Sequence, residues 1–397
     1  MIVPNEANCT GCTACYTVCP HNAIGLENND HGFLVATVNE SICVDCGICE
    51  KTCPQTTSFV QDDLEDTYAF INLDINERCR STSGGFFISI AKTVLEKGGF
   101  VCGCILKDMF PMHILTDSIE QVILMQGSKY VQSYMGDCFS KISDLLKQSV
   151  PVFFTGTSCQ VAGLKNYLKV KRIDDASLLC ADFICHGVPS ARIWNDYVQY
   201  YETHFKRNAL DYKFRSKRYG WGKTALGGDY FSFFVYDKKG EKGKGIDDKI
   251  YYSRLWRYIF FSNLCLREVC YDCKYTSLNK PSDFTMADFW GVEKIVPELD
   301  DGKGCSLIIC NSKVGVTFIE DARNARIVQV NRDDAISQQV NAHQASLSND
   351  LKDAFWIDYD NNGYAFVINK YFGYNTPGRI KGFIKRVLFQ LKLRYLY

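Results

Sequence analysis

The chain lacks a net charge. Its 45 lysines and arginines balance 45 aspartates and glutamates. Nothing therefore draws it as a whole toward nucleic acid, and any electrostatic patch must be local. It lacks an uninterrupted apolar run of about 18 residues, which argues against a membrane-spanning helix. Its first residues, MIVPNEANCT, hold no basic stretch followed by an apolar one, so no secretory signal is visible. That absence decides how the 20 cysteines are read: as thiolate ligands in a reducing cytosol, not as a disulfide framework. With 46% apolar and 14% aromatic residues over 397 positions, the chain can bury a sizeable core without staples, in about two to three domains. A cytoplasmic location is the expectation.

What the sequence does have is cysteine in a fixed rhythm. CTGCTACYTVCP at 9–20 recurs as CVDCGICEKTCP at 43–54, so Cys9, Cys12, Cys15 and Cys19 map onto Cys43, Cys46, Cys49 and Cys53 with a constant offset of 34. C-x2-C-x2-C-x3-C-P is the bacterial ferredoxin spacing, in which the fourth cysteine of each run serves the other 4Fe–4S cluster. On that rule Cys9, Cys12, Cys15 and Cys53 hold one cluster, while Cys43, Cys46, Cys49 and Cys19 hold the second. Gly11 and Gly47 would relieve crowding where amides turn toward the sulfurs, and Pro20 and Pro54 direct the chain away. Structural zinc also takes C-x2-C pairs, usually as two separated pairs per ion, and two complete four-cysteine runs fit it poorly. His21 reads as a surface residue. Residues 1–57 thus form a small α+β ferredoxin-type domain, with FLVATV as a strand, and 58–66 is an acidic linker.

From 67 the pattern turns α/β. YAFINLDI, FVCGCIL, the start of PVFFTGTSCQVAGLKNYLKV (151–170) and SLLCADFIC read as strands, separated by helical stretches at 84–99, after the Gly-containing turn within 151–170 and after Pro189. Strands alternating with helices imply a largely parallel sheet with ligands at the carboxyl ends of strands. We divide this region into 67–150, the first part of a larger α/β domain, and 151–345, its second part; 346–397 is a C-terminal extension. Residues 209–345 look mixed, with an aromatic strand, DYFSFFVY, and a charged loop, KKGEKGKGIDDK.

A second set of cysteines is less compact. Cys159 stands in TGTSCQ at a strand-to-helix turn, Cys185 ends the next strand in DFICHGVP, and Cys270 and Cys273 form a C-x2-C pair. In a parallel sheet the first two lie close together, and the pair could complete a four-thiolate site. Buried cysteines are also common core residues, and that is the reading for Cys102, Cys104, Cys180, Cys305 and Cys310. Cys265 is a substitute ligand on proximity alone.

RSTSGGFFISIAKTVLEKG, GSKYVQS, FTGTSCQVAGLK, FICHGVPS, FRSKRYGW, CYDCKY and SDFTMADFWG occur in that order over 67–345. In these stretches the chain resembles the beta-subunit family of the hydrogenases and dehydrogenases that use the deazaflavin coenzyme F-420. The resemblance implies an α/β flavoprotein binding FAD beside a 4Fe–4S cluster, here a third one on Cys159, Cys185, Cys270 and Cys273. It also implies an FAD-binding region at STSGGFF. There Ser81, Ser83, Gly84 and Gly85 open a predicted helix whose bare backbone and N-terminal amides would suit a phosphate, although Ser-Gly-Gly is as often a plain helix cap. Lys129 could neutralise a phosphate or hydrogen-bond the flavin ring, or be a solvated surface lysine. Thr155 and Gly156 would border the flavin. His186 is a candidate proton donor to substrate; the reading favoured for it is a histidine hydrogen-bonding near the cluster. Arg215, Lys217 and Trp221 could line a pocket for an anionic substrate or cofactor, or make ordinary ion pairs. Asp288, Phe289 and Trp290 match a family signature with no chemistry assigned.

One-electron clusters joined to a flavin convert single-electron traffic into two-electron transfer. The leading expectation is an iron–sulfur flavoprotein oxidoreductase that passes electrons between its ferredoxin-type clusters and an organic substrate or deazaflavin coenzyme through FAD. A relay subunit without its own substrate is the alternative, and a zinc-stapled scaffold a third reading. The expected partners are a small-molecule substrate and a redox partner such as a ferredoxin or a reductase or hydrogenase subunit, with no nucleic acid. The tail from 376, TPGRIKGFIKRVLFQLKLRYLY, has six basic residues and no acid. Apolar Ile380, Phe383, Ile384, Val387, Leu388 and Leu391 at near-helical spacing make it a candidate for peripheral membrane contact.

Overall fold

A computed structural model of the chain describes residues 5–58, 64, 66–218, 220–221, 231–237, 244–248, 250–320, 322 and 324–394. Most of the linker, most of the charged loop at 238–249 and the end of the tail lie outside the described residues.

The N-terminal unit is a two-stranded antiparallel sheet, β1 (Ile24–Asn28) on β2 (Leu34–Val38), with one short helix from each cysteine run, Ala14–Val18 and Ile48–Thr52. The repeat seen in the sequence is repeated in the backbone. Gly11 (φ 68°) and Thr13 (φ 66°) take left-handed conformations in the first run, and Asp45 (φ 53°) and Gly47 (φ 69°) take them in the second. These are equivalent positions, with glycine on alternate members of the pair.

The larger unit is α/β. Its sheet holds β3 (Thr67–Asn72), β4 (Phe100–Lys107), β5 (Phe110–Thr116), β6 (Val152–Thr155), β7 (Leu178–Phe183), β11 (Phe284–Asp288), β12 (Ser306–Cys310) and β13 (Ala325–Gln329), ordered β13-β3-β12-β11-β7-β6-β4-β5. Neighbours β4, β6, β7 and β11 are parallel, and β3 runs the same way through the antiparallel β12. Five of the eight strands therefore point one way. The antiparallel edges have local causes. At one edge the two-residue turn Asp108–Met109, both at positive φ, folds β5 back on β4. At the other, β13 lies antiparallel on β3. Strand β12 is buried along its whole length and β7 along all but its last residue, which is why both read as continuous apolar runs.

A three-stranded antiparallel sheet, β8 (Ala209–Ser216), β9 (Phe231–Asp237) and β10 (Lys244–Ile246), packs with helix Ala191–Phe205 around Trp194, Tyr197, Tyr201, Phe234 and Trp256. Residues 244–246 correct the sequence reading, which places them in a charged loop. Backbone pairing of Ile246 with Val235 and Lys244 with Asp237 makes a strand where the local charge pattern disfavours one.

Five strand ends, at Asn72, Lys107, Thr155, Phe183 and Asp288, thus share one edge of the main sheet. The segments carrying Ser81–Gly85, Cys159, Cys185 and Trp290 follow four of them. Behind this edge His113 of β5 is buried, with Nε2 3.0 Å from the Thr155 carbonyl. Burial holds its pKa down at about 4. The unfolded chain takes up that proton near pH ~6.5, so it binds more protons than the folded chain between the two values, and stability falls as pH drops through that window. We expect the wild-type melting temperature to decline below pH ~6.5, with up to about 3 kcal/mol lost by pH ~4. His113→Gln should flatten that decline; an identical slope in both proteins would exclude His113 as its source.

Candidate metal centres

Each N-terminal helix carries the third cysteine of its run, and the fourth is its C-cap: Cys15 and Cys19 in one, Cys49 and Cys53 in the other. The loops aim backbone amides at sulfur. Gly11 N–H lies 3.4 Å from Cys9 Sγ, Ala23 N–H 3.3 Å from Cys19 Sγ, Asp45 N–H 3.4 Å from Cys43 Sγ, and Gln55 N–H 3.5 Å from Cys53 Sγ. Donors of this kind stabilise sulfur that carries negative charge.

The cysteines sort into two groups by neighbourhood. Cys15, pushed up to about 12 chiefly by burial, is raised further by Cys9 and Cys53. Cys49, also raised chiefly by burial, feels Cys46 and Cys19. This is the crosswise arrangement, each fourth cysteine standing with the other run. Cys9, Cys12, Cys15 and Cys53 line one pocket, together with Leu26, Ala36 and Pro54. Among the described residues no three His, Cys, Asp or Glu side chains converge at single-ion spacing; these four thiols instead surround a volume. Four thiols, amides turned toward sulfur and an apolar-walled cavity fit a 4Fe–4S cluster, whose binding requires the thiols to lose their protons.

The second set also comes together. Cys159 lies in the first turn of helix Ser158–Lys171, capped by the reciprocal Thr157–Gln160 box. Cys185 follows β7, Cys270 lies in the 3₁₀ helix Glu268–Asp272, and Cys273 caps it. Burial raises all four thiols, Cys159 to about 11 and Cys270 to about 12. Cys185 is further raised by Cys270, Cys159 and Cys273. Gly187 (φ 137°) makes room, since a Cβ there would lie 3.3 Å from Cys270 Cβ. Cys265 lies elsewhere in character, fully buried in the aromatic core. Cys102, Cys180 and Cys310 are core residues, as their apolar runs suggest, and Cys305 is likewise fully buried.

Three residues join the two sets, none of them singled out by the sequence. Gly163, one turn after Cys159, faces the N-terminal unit, and a Cβ there would stand 3.0 Å from Cys12 Sγ. Tyr275, two residues after Cys273, is buried and donates its hydroxyl to the Pro54 carbonyl at 3.0 Å. Arg267 is 2% exposed; its guanidinium donates to the Cys9 and Leu34 carbonyls, both at 2.9 Å, and to Gln132 Oε1. Its Nε–H has no acceptor among the described residues. Its charge is felt by Cys159 and Cys270, and those two thiols with Cys9 and Cys12 act on it in turn. A buried cation thus stands between the two sets. In NLCLREVCYDC it looks like a spacer; a lone arginine among buried cysteines was the available signal.

The residues read as flavin contacts are largely occupied by the protein. Gln126 Nε2 donates to Ser81 Oγ at 2.8 Å, and Ser83 Oγ donates to the Cys305 carbonyl. Gly84 N–H donates to Ser306 Oγ at 2.8 Å, and a Cβ on Gly84 would overlap the Phe70 carbonyl oxygen. Gly85, at φ 91°, is the N-cap of helix Phe86–Glu96. These glycines let the loop pack tightly against the paired ends of β3 and β12, so the side chains named there are bonded within the protein. Lys129 Nζ donates to the Leu124, Met125 and Gln126 carbonyls at 2.8–3.2 Å. It caps the end of helix Ile119–Met125, a site that favours a cation, and burial lowers it to about 8. Thr155 ends β6 and Gly156 follows it, three residues before Cys159, with Gly156 N–H donating to the Ala181 carbonyl.

His186 has Nε2 2.8 Å from Asn263 Oδ1 and Nδ1 3.2 Å from both Asn341 Oδ1 and Ser346 Oγ. Both ring nitrogens are engaged, and burial lowers its pKa. Arg215 pairs with Asp288, both largely buried, and Trp221 stacks on Trp290 at 5.2 Å. FRSKRYGW and ADFW are therefore each other's partners. Lys217 Nζ donates to the Arg78 carbonyl at 2.7 Å and to the Ser83 carbonyl, and burial lowers it to about 7.

The family model for the C terminus of the coenzyme F-420 hydrogenase/dehydrogenase beta subunit matches residues 151–335, and a 4Fe–4S dicluster domain matches 8–57. No curated protein matches the chain. Among solved structures, a chain of the F-420-reducing nickel–iron hydrogenase complex from Methanosarcina barkeri, solved as a xenon derivative, is similar at 12% identity and a TM-score of 0.43. The match covers 72% of this chain and 92% of that one. The dicluster match spans both cysteine runs, and the beta-subunit match spans Cys159, Cys185, Cys270 and Cys273. Residues 151–335 thus carry the C-terminal domain of the coenzyme F-420 hydrogenase/dehydrogenase beta-subunit family, and residues 8–57 carry a 4Fe–4S dicluster domain.

Proposed function

We propose that this chain is an iron–sulfur oxidoreductase that moves electrons from its N-terminal clusters, through a third cluster on Cys159, Cys185, Cys270 and Cys273, to FAD and an organic substrate or deazaflavin coenzyme. The observation that carries the reading is the apposition of the two cysteine sets across Gly163, Tyr275 and Arg267. Bound clusters supply one-electron transfer and a bound flavin two-electron transfer. The chain's own residues set the conditions. Gly163 lets the Cys12 loop approach the helix Ser158–Lys171, which carries Cys159 in its first turn. Buried Arg267 offsets the negative charge of thiolates on both sides, which favours the reduced state of whichever set it faces. Amide donors to Cys9, Cys19, Cys43 and Cys53 act in the same direction.

FAD in this reading rests on the family likeness, because the side chains at 81–85 and Lys129 are bonded within the protein. That observation favours a second reading: a relay subunit that carries electrons between a partner enzyme and a soluble carrier, with no substrate of its own.

Anaerobically purified protein should hold about twelve irons, falling to about eight in Cys159→Ser or Cys273→Ser. Loss of all iron in either variant would remove the separate third site. Extracted flavin near one per chain supports the enzyme reading; folded, iron-loaded protein without flavin would leave the relay. Arg267→Gln should lower at least one cluster potential by about 60 mV or more, a tenfold change in a one-electron equilibrium, when titrated with electron paramagnetic resonance detection. Arg267→Lys keeps the charge, so it should hold the wild-type potentials even where it melts as early as the Gln variant. Equal shifts in both variants would mean that packing, not charge, sets the potential.

A further inference from the structure

The helix Thr376–Arg394 is amphipathic, yet it is turned the wrong way for a core helix. Ile380, Phe383, Ile384, Val387, Leu388 and Leu391 fall at i, i+3, i+4, i+7, i+8 and i+11 and form a single stripe. A helix of a globular fold buries such a stripe. Here all six residues are exposed, from 41% for Val387 to 62% for Phe383.

The outward turn follows from how the helix is seated. A Cβ on Gly382 would stand 2.6 Å from the Tyr251 ring, and Arg379 lies over the Tyr374 ring at 4.4 Å. Tyr251 and Tyr374 stack on each other at 5.9 Å. At about 100° per residue, Gly382 lies roughly opposite the middle of the apolar stripe. Glycine on that side lets the helix lie close on Tyr251, and the stripe must then point away from the body.

Charge narrows what can cover it. Residues 376–397 hold six of the chain's 45 basic residues and no acid, in a protein with no net charge. A second copy docking stripe to stripe would set two like-charged helices against each other. An anionic bilayer meets both features, with the apolar stripe in the acyl boundary and the cations among the headgroups. Insertion across the bilayer is not the mode, since no helix of the described residues is long and apolar enough to cross a membrane. Lying flat, its 19 residues span about 28 Å.

We propose that Thr376–Arg394 is a peripheral anchor that lies on an anionic lipid surface and holds the redox body against it. The inference stands apart from the redox reading. Full-length, iron-loaded protein should float with vesicles of phosphatidylcholine containing about a third phosphatidylglycerol, and roughly tenfold less with phosphatidylcholine alone or in about 0.5 M salt. The double variant Ile384→Asp/Val387→Asp should lose flotation roughly tenfold with iron content and melting temperature unchanged. The proposal is overturned if the wild type stays with the soluble fraction or if the variant floats equally. It is overturned equally if ultracentrifugation shows a wild-type dimer that the variant splits, which would place a second copy on the stripe.

Discussion

A buried guanidinium holds the two halves of this chain together. Arg267 belongs to the large α/β unit, yet two of its bonds end on backbone carbonyls of the small one, at Cys9 and Leu34. A charge this deep is tolerated only when bonded and balanced. The balance comes from cysteines on both sides, which act as anions once they bind a cluster. Gly11 shares the constraint: a Cβ there would stand 2.7 Å from Arg267 Nη2. Its glycine is thus needed for φ and for space together, and the same residue that shapes the cysteine loop admits the cation.

The same logic explains the docking of the N-terminal unit on helix Ser158–Lys171. Asn166 donates to the Thr52 carbonyl and to Thr57 Oγ1, Lys274 donates to the Thr57 carbonyl, and Ser190 donates to the His31 carbonyl. Most of these bonds end on backbone, so they fix position without asking for a particular side chain in the small unit. Electron transfer between cofactors depends on separation above all, and a rigid seat supplies a constant separation. A ferredoxin unit on a free tether would not.

How much of this was legible beforehand depends on the range of the interaction that decides each feature. The cysteine runs are local, so their spacing announced the crosswise sets that the cavity around Cys9, Cys12, Cys15 and Cys53 suggests. Strands β3, β4, β6 and β7 were legible for the same reason, since each is an apolar run with its own turn signals. Ser81–Gly85 marks the limit of a local signal: a bare Ser-Gly-Gly suits a phosphate and close packing on a strand end alike, and the Phe70 carbonyl and Ser306, far away in sequence, fix where this one packs. Lys129 and Asp288, the latter given no chemistry by its motif, likewise have partners that only the fold shows. One is spent on carbonyls one helical turn behind it, the other on an arginine 73 residues away. Arg267 went unremarked because its partners lie at Cys9, Leu34 and Gln132, and spacing rules count cysteines rather than what stands between them.

Convergence at one sheet edge then ties function to fold. A strand's carboxyl end in a parallel sheet leaves the chain to turn into a helix, and these turns carry the polar groups that a strand interior cannot. Here β6 leads to Cys159, β7 to Cys185, and β11 to the Asp288–Trp290 segment that anchors Arg215 and Trp221. The pair Cys270–Cys273 arrives from a different direction, on a 3₁₀ helix held by the Arg267 contacts. The proposed third site would draw its ligands from three separate connections of the large unit, so it would form only once those connections are brought together by the sheet. The thiols say the same in energetic terms. Burial raises every one of Cys159, Cys185, Cys270 and Cys273, and neighbouring thiols of the set raise the first three further, so the apoprotein favours protonated sulfur there, and assembly of the fold and loading of the site are coupled through those protons.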